Sequence, residues 1–235
     1  MGAIRSVARG GAGVAAIAIA GLVLDVAGAQ AAQRPGGQAA QRLRCPPREA
    51  RVITHDGLVR VYQHSRPATL MDLPVTACIV GRRVGMTLVP APPPHARRRA
   101  SAGSIETIVL AGPVVAYVVH RLTGIDTGSS ELIVADVATR RILRSAPVGY
   151  SVDAGFGGHE ALTALVAASD GAVAWISERR SPQPGGLTVS VHSAPPRGAA
   201  VVLDEGPAID TASLELSGGA LVWSDAGVSR TAPMP

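Results

Sequence analysis

The 235 residues are 47% hydrophobic and 17% charged, an ordinary balance for a folded protein with one good core or two small ones, which excludes a disordered chain. Every basic residue in the net charge of +5 is arginine, and the single dense run, Arg97-Arg98-Arg99, follows Pro92-Pro93-Pro94-His95 without interleaved aromatic residues. That composition reads as an exposed linker and argues against nucleic-acid binding.

Arg5 and Arg9 precede an apolar stretch from Val14 to Leu24, and small residues follow at Ala27-Gly28-Ala29. Residues 1–29 therefore have the layout of a secretory signal peptide, with an uncleaved membrane anchor as the alternative. Residues 30–44 contain Gln, Ala, Gly and Arg without an apolar period and are expected to be a flexible leader. The ordered domain is expected over residues 45–235. In an exported chain two cysteines are most simply read as one disulfide, Cys45 to Cys78, worth roughly 3 kcal/mol in the chain-entropy model. Two buried free thiols are the alternative, and no Cys and His spacing matches a zinc site.

Beyond Cys45 the chain reads as short runs rich in Val, Ile and Thr between turn signals. A first set covers Ala50–Thr54, Leu58–Gln63, Val75–Val80 and Arg83–Leu88, and a Pro-rich linker runs from Pro90 to Ala102. A second covers Ile105–Leu110, Val114–His120, Glu131–Asp136 and Arg141–Ser145. A third covers Ala161–Ala168, Ala172–Ser177, Leu187–His192 and Ala200–Leu203. The fourth is shorter: Ser213–Leu216, Ala220–Ser224 and Val228–Thr231. Gly149 to His159 reads as a loop between the second and third sets, flexible enough to line a partner site.

Each set contains a turn of Gly, Asp or Ser followed by an apolar strand with an aromatic ring near its end. The rings are Tyr62, Tyr117, Trp175 and Trp223, spaced 55, 58 and 48 residues apart. With aromatics only 3% of the chain, these four are expected to anchor the core. The fold class expected is all-β: about four four-stranded repeats forming a small β-propeller or an open partial propeller. The segment from Cys45 to Thr54 is a candidate to complete the short fourth set.

The stretch Ala168-Ser169-Asp170-Gly171-Ala172-Val173-Ala174-Trp175-Ile176-Ser177, followed by Leu187–His192, resembles the repeat of periplasmic propellers of the TolB-type, WD40-like class. It also resembles exported proteins of high-GC bacteria. The resemblance implies a binding or scaffolding module without naming its partner. Relative to the usual repeat, the chain lacks the proline before Asp-Gly.

One motif points elsewhere. Gly124-Ile125-Asp126-Thr127-Gly128-Ser129-Ser130 resembles the signature loop of pepsin-like aspartic proteases, and Ala208-Ile209-Asp210-Thr211-Ala212-Ser213 resembles a degraded second copy. The resemblance implies Asp126 and Asp210 as a dyad sharing one proton, with Thr127, Ser129, Thr211 and Ser213 holding the loops. Against it, Ala212 replaces the second glycine, and the two aspartates are only 84 residues apart. The reading preferred on the residues is that both are turn segments of the repeat, where Gly, Asp, Thr and Ser are ordinary.

Gly-x-Ser-x-Gly, His-Glu-x-x-His and phosphate-loop patterns are missing from the sequence. No cofactor or metal is expected. Arg34 to Arg144 holds sixteen Arg against seven acids, whereas Ser145 to Pro235 holds four against nine. The asymmetry fits either a solvated surface or an anionic partner such as a cell-envelope polymer. The functional expectation is a secreted or envelope module that binds an unknown protein or envelope polymer. It would touch the membrane only through its signal segment, with the aspartic protease as the alternative.

Overall fold

The computed structural model describes residues 45–47, 50–64, 74–90, 103–122, 127–151, 158–181 and 185–235. The expected signal peptide and leader, the linker arginines 97–99 and Asp126 lie outside the described residues. Fifteen strands and no helix occur among those described. The protein is all-β.

Three antiparallel sheets follow one another along the chain, and none closes on itself. The first holds β1 (Ala50–His55), β2 (Val59–His64), β3 (Val75–Ile79) and β4 (Gly85–Val89) in chain order. The second is eight-stranded and contains two groups. One is β5 (Ser104–Ala111), β6 (Val114–Leu122), β7 (Gly128–Asp136) and β8 (Arg141–Ser151); the other is β9 (His159–Ala167), β10 (Val173–Arg180), β11 (Leu187–Ala194) and β12 (Val201–Gly206). The last sheet is β13 (Glu215–Ser217), β14 (Ala220–Asp225) and β15 (Val228–Pro233).

Local chemistry sets the hairpins. Asp56 Oδ1 accepts from the Leu58 and Val59 amides at 3.0 and 2.8 Å, closing the turn from β1 to β2. Asp170 Oδ1 accepts from the Ala172 amide at 2.9 Å at the β9–β10 turn. There Gly171 has φ +98°, a backbone conformation that favours glycine.

Period-two alternation sends the side chains of each central strand to opposite faces, and both faces are covered. Val115, Tyr117 and Val119 of β6 pack with Val59, Val61, Ala77 and Ile79 of the first sheet in one core. Their neighbours Val114, Ala116 and Val118 pack on the other side with Leu165, Ala167, Val173 and Trp175 in a second core. Ala174 and Ile176 of β10 face the opposite way and form a third core with Val189, Val191, Leu221 and Trp223. Each fully buried Val, Leu or Ile contributes about 1.5–3 kcal/mol. Hydrogen bonds tie neighbouring groups together. Tyr117 Oη donates to the Leu88 carbonyl at 3.0 Å, and Arg144 Nη2 donates to the Pro195 and Gly198 carbonyls, both at 2.7 Å.

Three expectations need correction. Gly149 and Tyr150 belong to β8 and not to a loop, since β8 runs to Ser151 and pairs with β9 through Tyr150 with Glu160 and Ser151 with His159. The second and third sets are thereby joined into one sheet. The reason is visible at Gly149: a Cβ there would sit 2.6 Å from the Glu160 carbonyl oxygen, so the missing side chain permits strand contact instead of conferring slack. Similarly, Gly128 to Ser130 opens β7 and His120 to Leu122 ends β6, which shortens the expected turn between them. Finally, β1 pairs with β2, and the last sheet remains three-stranded.

Candidate functional site

The four rings occupy the same place in their hairpins, on β2, β6, β10 and β14. All are buried, at 5% exposure or less. Tyr117 faces the first sheet, Trp175 faces the β5–β8 group, and Trp223 faces the β9–β12 group. Each ring thus points at the group preceding it in the chain. Tyr62 alternates with Val59 and Val61 and so points away from the β5–β8 group, where no earlier sheet is described.

The disulfide covers that exposed-side ring. Cys45 and Cys78 are bonded, with Cα atoms 5.8 Å apart. Together with Tyr62, Thr76, Arg82, Arg83, Gly85 and Thr87 they line a cavity of about 200 Å³. Burial pushes the Tyr62 phenol up from its ordinary 10.0, partly offset by its hydrogen bond with Thr76. Tyr117 is pushed up to about 12 by burial and then by the Glu131 carboxylate, against the opposing pull of Arg121.

Of the proposed dyad, Asp126 lies outside the described residues. Asp210 is exposed in the turn that leads toward β13. Its Oδ1 accepts from the Ala212 amide at 3.0 Å, and its carbonyl accepts from Ser213 Oγ at 2.7 Å. Ser213 Oγ in turn accepts from the Ser224 amide at 2.9 Å, anchoring the turn to β14. Asp210 is therefore engaged in turn formation.

Two clusters carry catalytic residue types. In the first, Glu106, His120 and Ser130 come from β5, β6 and β7. His120 Nδ1 lies 3.1 Å from Ser130 Oγ and 3.6 Å from Glu106 Oε1, while Ser130 Oγ donates to Glu106 Oε2 at 3.2 Å. A relay needs the base to meet nucleophile and acid through opposite ring nitrogens. Here one nitrogen meets both, so that relay geometry is not formed. In the second, His192 Nε2 lies 3.1 Å from Ser177 Oγ, and its ring stacks on Trp175 at 5.0 Å. Burial holds His192 below its ordinary 6.5, with Glu205 opposing, and Ser177 is itself buried. Among the described residues, no group of three His, Cys, Asp or Glu is placed to hold a metal ion.

A different place offers exposed chemistry. Where β8 meets β9, a cleft of about 440 Å³ is lined by Tyr150, Gly158, Arg179, Arg180, Ser181, Gly186 and Thr188. Strand register places Ser129, Tyr150, Glu160, Arg179 and Thr188 side by side across five strands. Tyr150 is 39% exposed, unlike the four anchor rings. Arg180 is engaged with Glu178. Among the described residues, Arg179 has no carboxylate within ion-pairing distance. Neither Tyr150 nor Arg179 was singled out from the sequence. The available signal was that Tyr150 breaks the turn, strand and ring pattern obeyed by the other four.

The chain matches no protein-family model, and no curated protein matches it.

Proposed function

We propose that this chain is an exported, non-catalytic binding or scaffolding module of the cell envelope, built from propeller-like β-repeats in an open or partial ring. The observation that carries this reading is the shared phase of the rings: Tyr117, Trp175 and Trp223 each face the preceding group, as identical units stacked in one direction require. The adjacency of β5 with β9 and of β9 with β13 adds support, because first strands of successive blades adjoin in a propeller. The disulfide supports an oxidising compartment.

The test is to express the full chain with its N-terminus intact in a bacterial host. N-terminal sequencing of the exported protein is expected to begin at Gln30, and the protein is expected to co-sediment with isolated envelope. Retention in the cytoplasm, or no binding to envelope material, overturns the reading. Acid proteolysis abolished by Asp210→Asn would replace it with the protease alternative.

A further inference from the structure

The β8–β9 cleft differs chemically from the rest of the surface. Its Tyr150 ring is the one substantially exposed aromatic among the described residues. Trp175, four residues before Arg179 on β10, belongs to the second core. Tyr150 and Arg179 both line the cleft at the β8–β9 junction. Gly158 leaves room for the end of that ring: a Cβ there would come within 2.9 Å of Tyr150 Oη and 3.2 Å of the Arg180 carbonyl.

The functional groups fit one kind of ligand. An exposed ring presents an electron-rich face and a hydroxyl, suited to the C–H face and edge of a sugar. Arg179 offers a fork of donors to a carboxylate. Thr188, beyond Arg179 on the cleft wall, offers its hydroxyl to those of a sugar, and Glu160 lies between Tyr150 and Arg179 in the register without lining the cleft. A carboxylate beside a single unpaired guanidinium disfavours a dense polyanion such as polyphosphate, while tolerating one negative charge amid hydroxyl groups.

We propose that the cleft bounded by Tyr150, Arg179 and Thr188 is a binding site for a carboxylated saccharide, a uronic-acid unit of an envelope glycan. This rests on the binding-module reading and names its ligand class. Tyr150 stacks on the sugar ring, and Arg179 pairs with its carboxylate.

Calorimetric titration of the full chain with galacturonate and glucuronate tetrasaccharides tests it, with maltotetraose and tripolyphosphate as comparators. At least one uronate is expected to bind and maltotetraose is not. Tyr150→Ala and Arg179→Gln should each weaken binding about tenfold or more, while Arg197→Gln, on the exposed β11–β12 turn, leaves it unchanged. Both site residues are on the surface, and unchanged thermal midpoints will establish that the variants fold. No uronate binding, equal binding of maltotetraose, preference for tripolyphosphate or full binding by either site variant overturns the assignment. Envelope co-sedimentation by wild type and both variants would overturn the site while leaving the module reading intact. Its loss in wild type removes both.

Discussion

The first sheet, β1–β4, and the last, β13–β15, stand at the two ends of the series and bury their rings by different means. Trp223 has a preceding group to pack on, and its indole N–H donates to Asp204 Oδ2 on β12 at 2.8 Å. Tyr62 points to the side where no preceding group is described, and a disulfide and the Thr76 hydroxyl stand there instead. Among the described residues, the last ring has a preceding group against it and the first has the disulfide and Thr76. The covalent staple stands at the first of these two ends.

Breaking that comparison at the last end should cost most. Trp223→Ala is expected to lose about 3–5 kcal/mol in denaturant unfolding and to release β13–β15 amides to hydrogen exchange before the rest. At the first end, Cys78→Ser opens a link between residues 33 apart in sequence and should cost about 3–4 kcal/mol. A smaller loss there would mean that packing alone holds Tyr62. Asp204→Ala keeps the indole and removes its acceptor, and a loss of about 1–2 kcal/mol will separate hydrogen bonding from burial. Asp210→Ala should cost about 1 kcal/mol through its turn bond alone.

The pH limbs sharpen the contrast with the smallest effect. His192, between the second and third cores, is held below 6.5, so the unfolded chain takes up its proton first as pH falls. Its contribution is complete above 6.5 and erodes as pH drops below that value toward its folded-state value. Tyr117, against the first sheet, ionises at about 12 instead of 10.0. Its contribution is complete below 10 and erodes as the unfolded chain ionises between 10 and 12. Thermal midpoints across pH should show His192→Gln flattening only the acid limb and Tyr117→Phe only the alkaline limb.

The strands were legible as short runs between turn signals, most clearly in the first halves of β6 and β10, where burial on both faces leaves little room for polar residues. The Cys45 to Cys78 pairing was legible from the cysteine count and the expected signal segment. The β8–β9 junction was not. Glycine at 149 reads locally as looseness, and its role depends on a carbonyl eleven residues away. The candidate site was hidden for the same reason: Tyr150 and Arg179 are 29 residues apart and meet only through that junction. At Asp210 the residues support two readings at once, since those of a catalytic loop are also those of a good Asx turn.

The placement of the two tryptophans has an optical consequence. Trp175 and Trp223 sit in the cores on either side of the β9–β12 group, and the chain has no other indole. Indole emission therefore reports on the second and third cores, and no indole lies in the disulfide-bearing sheet. Trp175 also carries its own quencher: protonated His192, stacked at 5.0 Å, should dim one of the two lamps while the other stays lit.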